Sequence, residues 1–252
     1  MMDVIASIGT THPFGVAGLT LAQSLVRELG ARSVCVVAGV TAQDAERVYA
    51  RHPIDAATIR SQFSALRTAG ITAAHVGALL DINSVNAVSN ALDDWGEIPL
   101  VCDPVIAATG GDSLADSRTQ HAIRDRLFKR ATLVTPNLDE ARMYLGTTID
   151  SLEGMQIAAR EFGRFGAQAV LLKGGHLAER AIDVLWYDGT IAIFDDERLP
   201  YEVRGTGDML AAAITVALAR GNAVPDAVIW ARRIVRAKIA GGVDFAGMRV
   251  AE

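Results

Sequence analysis

Short apolar runs rich in β-branched residues alternate with segments of helical periodicity along most of the chain. The run SVCVVAGV at residues 33–40 is apolar at nearly every position, which is typical of a strand covered on both faces. Strands are predicted over residues 3–8, 33–40, 72–76, 98–102, 132–134 and 169–172. Helices are predicted over residues 16–29, 55–69, 81–95, 116–128, 138–145, 152–165, 206–220 and 225–240, with Asp81 as the cap of the third. This alternation implies right-handed crossovers and a mainly parallel sheet.

The pattern changes in the last third of the chain. Two strand-like runs, 182–187 and 190–194, flank Asp188-Gly189, a dipeptide typical of two-residue β-hairpins. We therefore expect an antiparallel addition to the sheet. The sequence contains no Pro- or Ser-rich linker, low-complexity tract or clear repeat, so we interpret residues 1–252 as one α/β domain.

Composition and charge narrow the class of protein. A chain of 252 residues with 50% hydrophobic content can bury a sizeable core. The net charge of -5 argues against a nucleic-acid partner, which usually requires a basic face. Cys35 and Cys102 lie in apolar runs, and we expect both to be buried, reduced thiols of a cytoplasmic protein. No signal peptide or membrane span is predicted, because the chain has no uncharged apolar stretch near the roughly 20 residues that a span requires.

Several common catalytic motifs do not occur in the sequence. There is no G-x-x-x-x-G-K-[ST] loop, and the first strand-to-helix turn, IGTTHPFGVAG, lacks G-x-G-x-x-G spacing. P-loop chemistry and NAD-dependent oxidation are therefore disfavoured. The sequence also has no G-x-S-x-G elbow or H-E-x-x-H pair, which weakens hydrolase and zinc-protease interpretations.

Polar residues gather instead where the predicted strands end. In an open parallel sheet, ligands bind beyond the carboxyl ends of the strands. The clusters at these positions are Gly9-Thr10-Thr11-His12, Thr41-Ala42-Gln43-Asp44, Gly77, Asp103-Pro104-Val105, Thr135-Pro136-Asn137-Leu138-Asp139-Glu140 and Lys173-Gly174-Gly175-His176. Every strand end needs turn residues, so one cluster alone proves little. Together they hold acids, an asparagine and a lysine, the side chains needed to bind a magnesium nucleotide.

The stretch VRGTGD predicts a phosphate-binding turn at the start of a helix. The backbone N–H groups of Gly205, Thr206 and Gly207 would face an anion, assisted by the helix dipole. Asp208 is placed to accept a proton from an attacking hydroxyl, and Lys173 to contact phosphate oxygens. We expect the dipole to keep Asp208 ionised while making it a weaker base. The alternative is an ordinary helix start capped by Thr206 or Asp208.

Asn137 and Glu140 are spaced i and i+3 at another predicted helix start. This spacing places them on one face, where they suit a hydrated Mg²⁺ with Asp103 in support. The same pair also fits a capping box that lacks its usual Ser or Thr. We favour the magnesium interpretation because the other clusters converge on the same edge.

Seven segments resemble the ribokinase-like superfamily, and most closely its hydroxymethylpyrimidine/phosphomethylpyrimidine kinase branch of thiamine biosynthesis. The segments are THPFGVAG (11–18), VTAQD (40–44), VGALLD (76–81), DPV (103–105), TPNLDEA (135–141), VLLKGGHL (170–177) and RGTGDMLAAAI (204–214). The resemblance implies a three-layer α/β/α domain with a mainly parallel sheet. It also implies transfer of the γ-phosphate of ATP to the hydroxymethyl group of a small heteroaromatic alcohol, commonly by a homodimer.

The resemblance also implies roles for individual residues. It makes Gly205, Thr206 and Gly207 an anion hole, Lys173 a phosphate-contacting catalytic lysine and Asp208 the catalytic base. ATP and Mg²⁺ would be bound by Asp103, Thr135, Asn137 and Glu140, with Asp103 and Glu140 as the metal ligands. The substrate pocket would be lined by Thr10, His12, Gln43, Gly77 and Val105, with Gln43 against the pyrimidine. The adenine is expected against the last two helices.

Three departures from the branch bear on the substrate. Asp208 stands where the branch usually has cysteine, whereas pyridoxal kinases and ribokinases have aspartate at this position. His12 replaces an acid of the turn SDPSGGAG, and Ala22 takes the place of a substrate-binding aspartate. Losing a buried acceptor of this kind costs about 1–3 kcal/mol. A pyridoxal-type vitamin kinase is therefore the first alternative, and a catalytically silent ligand-binding paralogue is the second.

Overall fold

Nine strands form one sheet in the computed structural model, which describes residues 2–108, 110–174 and 180–251. They are β1 (Val4–Thr11), β2 (Arg32–Gln43), β3 (Val48–Pro53), β4 (Ala73–Val76), β5 (Leu100–Cys102), β6 (Leu133–Val134), β7 (Ala169–Gly174), β8 (Arg180–Tyr187) and β9 (Thr190–Glu197). Their spatial order is β3-β2-β1-β4-β5-β6-β7-β8-β9. Pairing is parallel from β2 through β7 and antiparallel at β3, β8 and β9. The predicted parallel sheet and its hairpin addition are confirmed.

Helices cover both faces of this sheet. They are α1 (Gly18–Glu28), α2 (Ala56–Ala65), α3 (Ile82–Leu92), α4 (Ser117–Leu127), α5 (Leu138–Leu145), α6 (Leu152–Gly163), α7 (Thr206–Ala219) and α8 (Val224–Ala240). One core cluster contains residues of α2 to α6, and the other contains residues of α1, α7 and α8. Side chains of a strand point alternately to the two faces of the sheet. In β1, Ile5 accordingly belongs to the second core cluster, and Ala6 and Ile8 belong to the first. This is the predicted three-layer α/β/α arrangement.

Helix α7 is central to the layer that carries the site. Every residue from Met209 to Leu218 is buried, and five of these ten are alanine or threonine. Small side chains let this helix lie close to the sheet while α1 and α8 pack against it. A helix that is apolar all round is typical of such an enclosed position. Its half-buried amino terminus is held at the carboxyl edge of the sheet.

Several predicted boundaries are wrong. β1 extends to Thr11 and β2 to Gln43, so Thr10, Thr41 and Gln43 are strand residues rather than loop residues. β3 was missed because its sequence, VYARHP, is mostly exposed and lacks apolar alternation. The chain also continues after α8 into a hairpin of β10 (Val243–Phe245) and β11 (Met248–Val250). Gly175, His176 and Leu177, which belong to two predicted motifs, lie outside the described residues.

Smaller predictions can also be compared with the structure. Asp81 caps α3 as expected, its carboxylate accepting a hydrogen bond from the backbone N–H of Ser84 at 2.7 Å. Both cysteines are free, but only Cys102 is buried, while Cys35 is half-buried. Within the described ranges, no helix is both long enough and apolar enough to cross a membrane.

Candidate active site

Adjacent parallel strands bring three predicted site residues into direct contact. Asp103 follows β5, Thr135 follows β6, and Lys173 lies near the end of β7. Oδ1 of Asp103 accepts hydrogen bonds from the Lys173 ammonium and the Thr135 hydroxyl, each at 2.9 Å. All three side chains are buried or nearly so. The result is a fixed charged cluster under the start of α7.

The start of α5 forms a complete capping box. Oδ1 of Asn137 accepts from the backbone N–H of Glu140 at 2.8 Å, and Oε2 of Glu140 accepts from that of Asn137 at 2.7 Å. The capping box, which the sequence analysis disfavoured, is therefore present, and the magnesium role of the pair stays a prediction. Its bonds occupy one oxygen of each side chain and leave Oε1 of Glu140 without a role in the cap.

Buried charges in this cluster perturb one another. Burial, with a contribution from Asp103, raises the pKa of Glu140 to about 8, although Lys173 opposes the shift. Burial alone would lower the pKa of Lys173, but the carboxylates of Asp103, Glu140 and Asp208 raise it, so the lysine stays charged. Two buried carboxylates thus share one lysine, and a divalent cation between them would relieve their repulsion.

No group of three or more metal-ligating side chains occurs in the part of the chain that the structure describes. Mg²⁺ commonly needs only one or two carboxylates, because phosphates and water complete its shell. Asp103 and Glu140 meet that requirement: both are buried, and Asp103 contributes to the raised pKa of Glu140. The residues present therefore fit a magnesium ion that arrives with a nucleotide.

The Gly-Thr-Gly turn lies directly over the Asp103–Lys173 pair. Gly205, not Thr206 or Asp208, occupies the N-cap position of α7, and its φ of 75° is left-handed. A Cβ on Gly205 would lie 2.5 Å from the backbone carbonyl oxygen of Val16 and would overlap the Leu21 side chain, so only glycine fits there. A Cβ on Gly207 would lie 3.3 Å from both Oδ2 of Asp103 and Nζ of Lys173. The turn is thus tightly packed at Gly205, while Gly207 faces the charged pair of Asp103 and Lys173.

Asp208 sits in the first turn of α7, where its carboxylate faces a cavity but is otherwise enclosed by protein. The backbone N–H of Gly18 lowers the pKa of this carboxyl, but by less than burial raises it. Burial raises the pKa of Asp208 to about 6, with a further contribution from Asp103. The expectation that the helix dipole makes it a weaker base is wrong, because desolvation outweighs the dipole. Asp208 is still mostly ionised at pH 7.

The cavity next to Asp208 collects all five predicted substrate-binding residues. Its volume is about 80 Å³. The predicted residues among its lining are Thr10, His12, Gln43, Gly77 and Val105. They come from four separate segments of the chain, so their convergence reflects the topology of the sheet rather than sequence proximity.

Two polar residues of this cavity were given no role from the sequence: Thr41, noted only as part of a strand-end cluster, and His75. The Thr41 hydroxyl donates to Oε1 of Gln43 at 3.0 Å, which leaves the amide N–H₂ of Gln43 available to a ligand. Nε2 of His75 lies 2.8 Å from the Ser7 hydroxyl, and burial lowers the pKa of His75 to about 4. Thr41 and Gln43 are two residues apart, and on a strand this spacing places both side chains on the same face. The sequence could therefore have predicted Thr41 as a neighbour of Gln43 in the cavity. His75 has no comparable signal, because it lies within a strand.

Two residues that depart from the family pattern have different environments. Neither ring nitrogen of His12 makes a hydrogen bond of ordinary geometry, and burial lowers its pKa, so it is neutral near pH 7. Ala22 is fully buried in the core cluster of α1, α7 and α8, and it is not among the residues that line the cavity. The expectation that a carboxylate is missing from the pocket at Ala22 is therefore wrong.

The three-layer fold, the glycine turn over a lysine–carboxylate pair and the buried aspartate beside a cavity define a small-molecule phosphotransferase. The phosphomethylpyrimidine kinase family model matches residues 13–250, and the chain belongs to that family. It is 36% identical over 243 residues to the hydroxymethylpyrimidine/phosphomethylpyrimidine kinase of Mycobacterium leprae, covering 92% of this chain and 86% of that protein. The kinase of the same description from Mycobacterium tuberculosis is 37% identical over 240 residues, with the same two coverages.

A solved structure extends the comparison to a second substrate class. The ADP complex of a Bacillus subtilis pyridoxal kinase superimposes with a TM-score of 0.89 and 27% identity. The match covers 100% of this chain and 97% of that one. The predicted family and the predicted class of enzyme are both confirmed.

Proposed function

We propose that this protein transfers the γ-phosphoryl group of ATP to the hydroxymethyl group of hydroxymethylpyrimidine, and also phosphorylates the resulting monophosphate, in thiamine biosynthesis. Membership of the phosphomethylpyrimidine kinase family supports the substrate class. The names of the two mycobacterial relatives support both steps. The ADP complex of the similar pyridoxal kinase supports ATP as the donor.

One observation carries the proposal most directly: Asp208 joins the cavity to the anion-binding turn. Its carboxylate lines the cavity, while its backbone belongs to the turn that begins α7. With a pKa of about 6, it is ionised at neutral pH and can still take a proton. Asp208 removes the proton of the alcohol as its oxygen attacks the γ-phosphorus, and the bond from that phosphorus to the ADP oxygen breaks.

The charged cluster suits the phosphate side of this reaction. The N–H groups of Gly205, Thr206 and Gly207 bind the oxygens of the transferring group, and Lys173 adds a fixed positive charge. Asp103 and Glu140 would hold Mg²⁺, which would neutralise charge on the phosphates. Thr135 keeps Asp103 oriented through its hydroxyl.

The cavity offers hydrogen-bonding groups that suit an aminopyrimidine. Gln43 presents amide N–H groups for a ring nitrogen, because Thr41 already occupies its oxygen. Neutral His12 offers one donor and one acceptor. An aminopyrimidine carries both an amino donor and ring acceptors, so the two sets are complementary. Gly77 has no side chain, and a Cβ built on it would lie 3.9 Å from Oδ1 of Asp208. The absence of that Cβ leaves room for the ring beside the Asp208 carboxylate.

Pyridoxal is the second candidate substrate, and two observations favour it. Asp208 stands where the thiamine branch usually has cysteine, and a pyridoxal kinase structure superimposes closely. Purified protein with ATP and Mg²⁺ is to be given hydroxymethylpyrimidine, its monophosphate or pyridoxal, with products followed by ³¹P NMR. We expect kcat/KM at least about tenfold higher for hydroxymethylpyrimidine than for pyridoxal, the ratio that one well-placed hydrogen bond supports. Turnover of pyridoxal with none of the pyrimidine would contradict the proposal.

The proposal extends to the assembly and its compartment. The family resemblance supports a homodimer, and two free thiols among the described residues are compatible with a reducing cytoplasm. Sedimentation velocity of the purified chain is expected to give twice the mass of 26.7 kDa. A single species of monomer mass at micromolar concentration would contradict this part of the proposal.

A further inference from the structure

The turn that follows Gln43 is closed by its own hydrogen bonds. Oδ1 of Asp44 accepts from the backbone N–H groups of Glu46 at 2.8 Å and Arg47 at 3.0 Å. The Tyr49 hydroxyl donates to Oδ2 of the same carboxylate at 2.6 Å. Residues 44–47, called the β2–β3 turn below, therefore form a stiff unit. Contacts from outside must set the position of such a unit relative to the rest of the site.

One side of the β2–β3 turn is anchored to the loop that follows β5. Oδ2 of Asp112 accepts a hydrogen bond from the backbone N–H of Val48 at 2.6 Å. A Cβ on Gly110 would lie 2.5 Å from the carbonyl oxygen of Glu46, so the loop and the turn are in close backbone contact. The same loop contributes Val105 to the cavity lining. This loop is therefore the first anchor of the turn.

A second anchor of the β2–β3 turn is the side chain of Arg204. The guanidinium of Arg204 donates a hydrogen bond to the backbone carbonyl of Ala45 in the β2–β3 turn. Its own backbone N–H donates to the carbonyl of Arg249 in β11 at 3.0 Å. Arg204 directly precedes Gly205, whose backbone is packed against Leu21. The guanidinium therefore projects from a fixed point at the start of the anion-binding turn.

An open space lies beside this contact. A cavity of about 650 Å³ is bordered by Phe14, by the β2–β3 turn, by Arg204 and by the hairpin of β10 and β11. If the Arg204 side chain were lost, the turn would have room to move away from the anion-binding turn. Arg249 borders the same cavity, but its guanidinium lies over the Tyr201 ring and pairs with Asp244.

We propose that Arg204 is a positioning residue that fixes the distance between the alcohol-binding Gln43 and the anion-binding turn. Through Ala45 it holds the strand end that carries Gln43, and through its backbone it is continuous with Gly205. The hydroxyl of a bound alcohol thereby stays within reach of Asp208 and the phosphoryl group. Misplacing reacting groups by about 1 Å can cost a hundredfold in rate. This inference rests on the proposed kinase function.

The test uses Arg204→Met, Arg204→Lys and the matched control Arg249→Met. The Met variants each remove one positive charge from the wall of the same cavity, and Lys keeps a donor for the Ala45 carbonyl. Amide hydrogen exchange of residues 43–48, followed by mass spectrometry, needs no substrate. We expect exchange at least about fivefold faster in Arg204→Met, near wild type in Arg249→Met and intermediate in Arg204→Lys, as loss of about one hydrogen bond predicts.

Steady-state kinetics gives the second measurement. For the alcohol that the wild type phosphorylates, we expect KM to rise about tenfold in Arg204→Met, while KM for ATP stays within about twofold. Unchanged exchange and KM in Arg204→Met would overturn the proposal. An equal rise in both KM values would also overturn it, because that result indicates direct contact with phosphate. If hydroxymethylpyrimidine itself is not turned over, the proposed function fails, while the exchange measurement still decides the role of Arg204.

Discussion

The two halves of the site are built differently. The phosphate half consists of Asp103, Thr135 and Lys173 with the starts of α5 and α7, and its polar groups bond to one another inside the protein. The alcohol half lies at the ends of β1, β2 and β4. There, both ring nitrogens of His12 lack an ordinary hydrogen bond, and Gln43 has an amide N–H₂ to spare.

This difference reflects two separate requirements, phosphoryl transfer and recognition of the alcohol. Phosphoryl transfer requires fixed charges and donors, and a network of internal bonds holds them in place before any ligand arrives. Recognition of an alcohol requires groups that are still unpaired, since a buried donor or acceptor gains most when its partner is the ligand. The phosphate half therefore indicates the reaction, and the alcohol half indicates the substrate.

The largest expected effect comes from removing the group that joins the two halves. Asp208→Asn keeps the shape of the side chain but cannot accept the proton, so kcat should fall at least about a hundredfold. Binding of ADP, measured by calorimetry, should change little. The matched control is Asp226→Asn, an exposed aspartate in the first turn of α8. Wild-type kcat in Asp208→Asn would remove Asp208 from its proposed role.

A smaller loss is expected from breaking the phosphate half alone. Lys173→Met removes a charged hydrogen-bond donor, which is worth about 1.5–3 kcal/mol, so kcat/KM should fall roughly tenfold to a hundredfold. Its Tm should also fall, because Asp103 keeps only Thr135 as a partner in a buried position. Kinetics and thermal melts would be compared with those of Lys129→Met, an exposed lysine beyond α4. An unchanged KM for ATP together with unchanged kcat would contradict the proposed contact.

The two halves also differ in how far the sequence predicted them. Every residue of the phosphate half lies in a short motif that the sequence analysis singled out, namely DPV, TPNLDEA, VLLKGGHL or RGTGDMLAAAI. The alcohol half is assembled from strand ends that are distant in sequence. Thr41 and His75 acquire their surroundings only through the pairing of β1 with β2 and β4. A linear pattern does not contain that information.

Three errors have the same physical origin. The raised pKa of Asp208 depends on burial by α1 and the sheet, which a helix-start motif does not encode. Ala22 was aligned with a pocket residue, although the helix α1 turns it into the core. The capping box at Asn137 and Glu140 was disfavoured, although both side chains bond to the backbone of α5, and the metal role of Glu140 remains a separate prediction. In each case tertiary packing decided the environment of a correctly noted residue.

The smallest expected effect is on stability, and it tests the raised pKa of Glu140 in the phosphate half. Because the folded pKa of Glu140 is about 8, above its ordinary value of 4.5, the native state loses stability as pH rises between these values. Glu140→Gln removes the charge and keeps an oxygen for the capping bond. We expect its Tm to exceed that of wild type by at least about 2 °C at pH 8.5, with little difference at pH 4.5.

The control for this variant is Glu153→Gln, an exposed glutamate in the first turn of α6. Its Tm should follow that of wild type across the same pH range. Activity of Glu140→Gln should fall at the same time, because Mg²⁺ would lose one of its two proposed ligands. A Tm for Glu140→Gln that is lower than wild type at pH 8.5 would contradict the raised pKa.

The central claim is that Asp208 is a buried, ionised base between the two halves. The most direct test is a ¹³C NMR titration of labelled aspartate carboxyls, with Asp208→Asn to assign the signal, beside the pH profile of kcat/KM. We predict a carboxyl that titrates near pH 6, and activity that declines as pH falls through the same value because the base becomes protonated. An Asp208 signal that titrates near pH 4, with full activity at pH 5.5, would contradict the account.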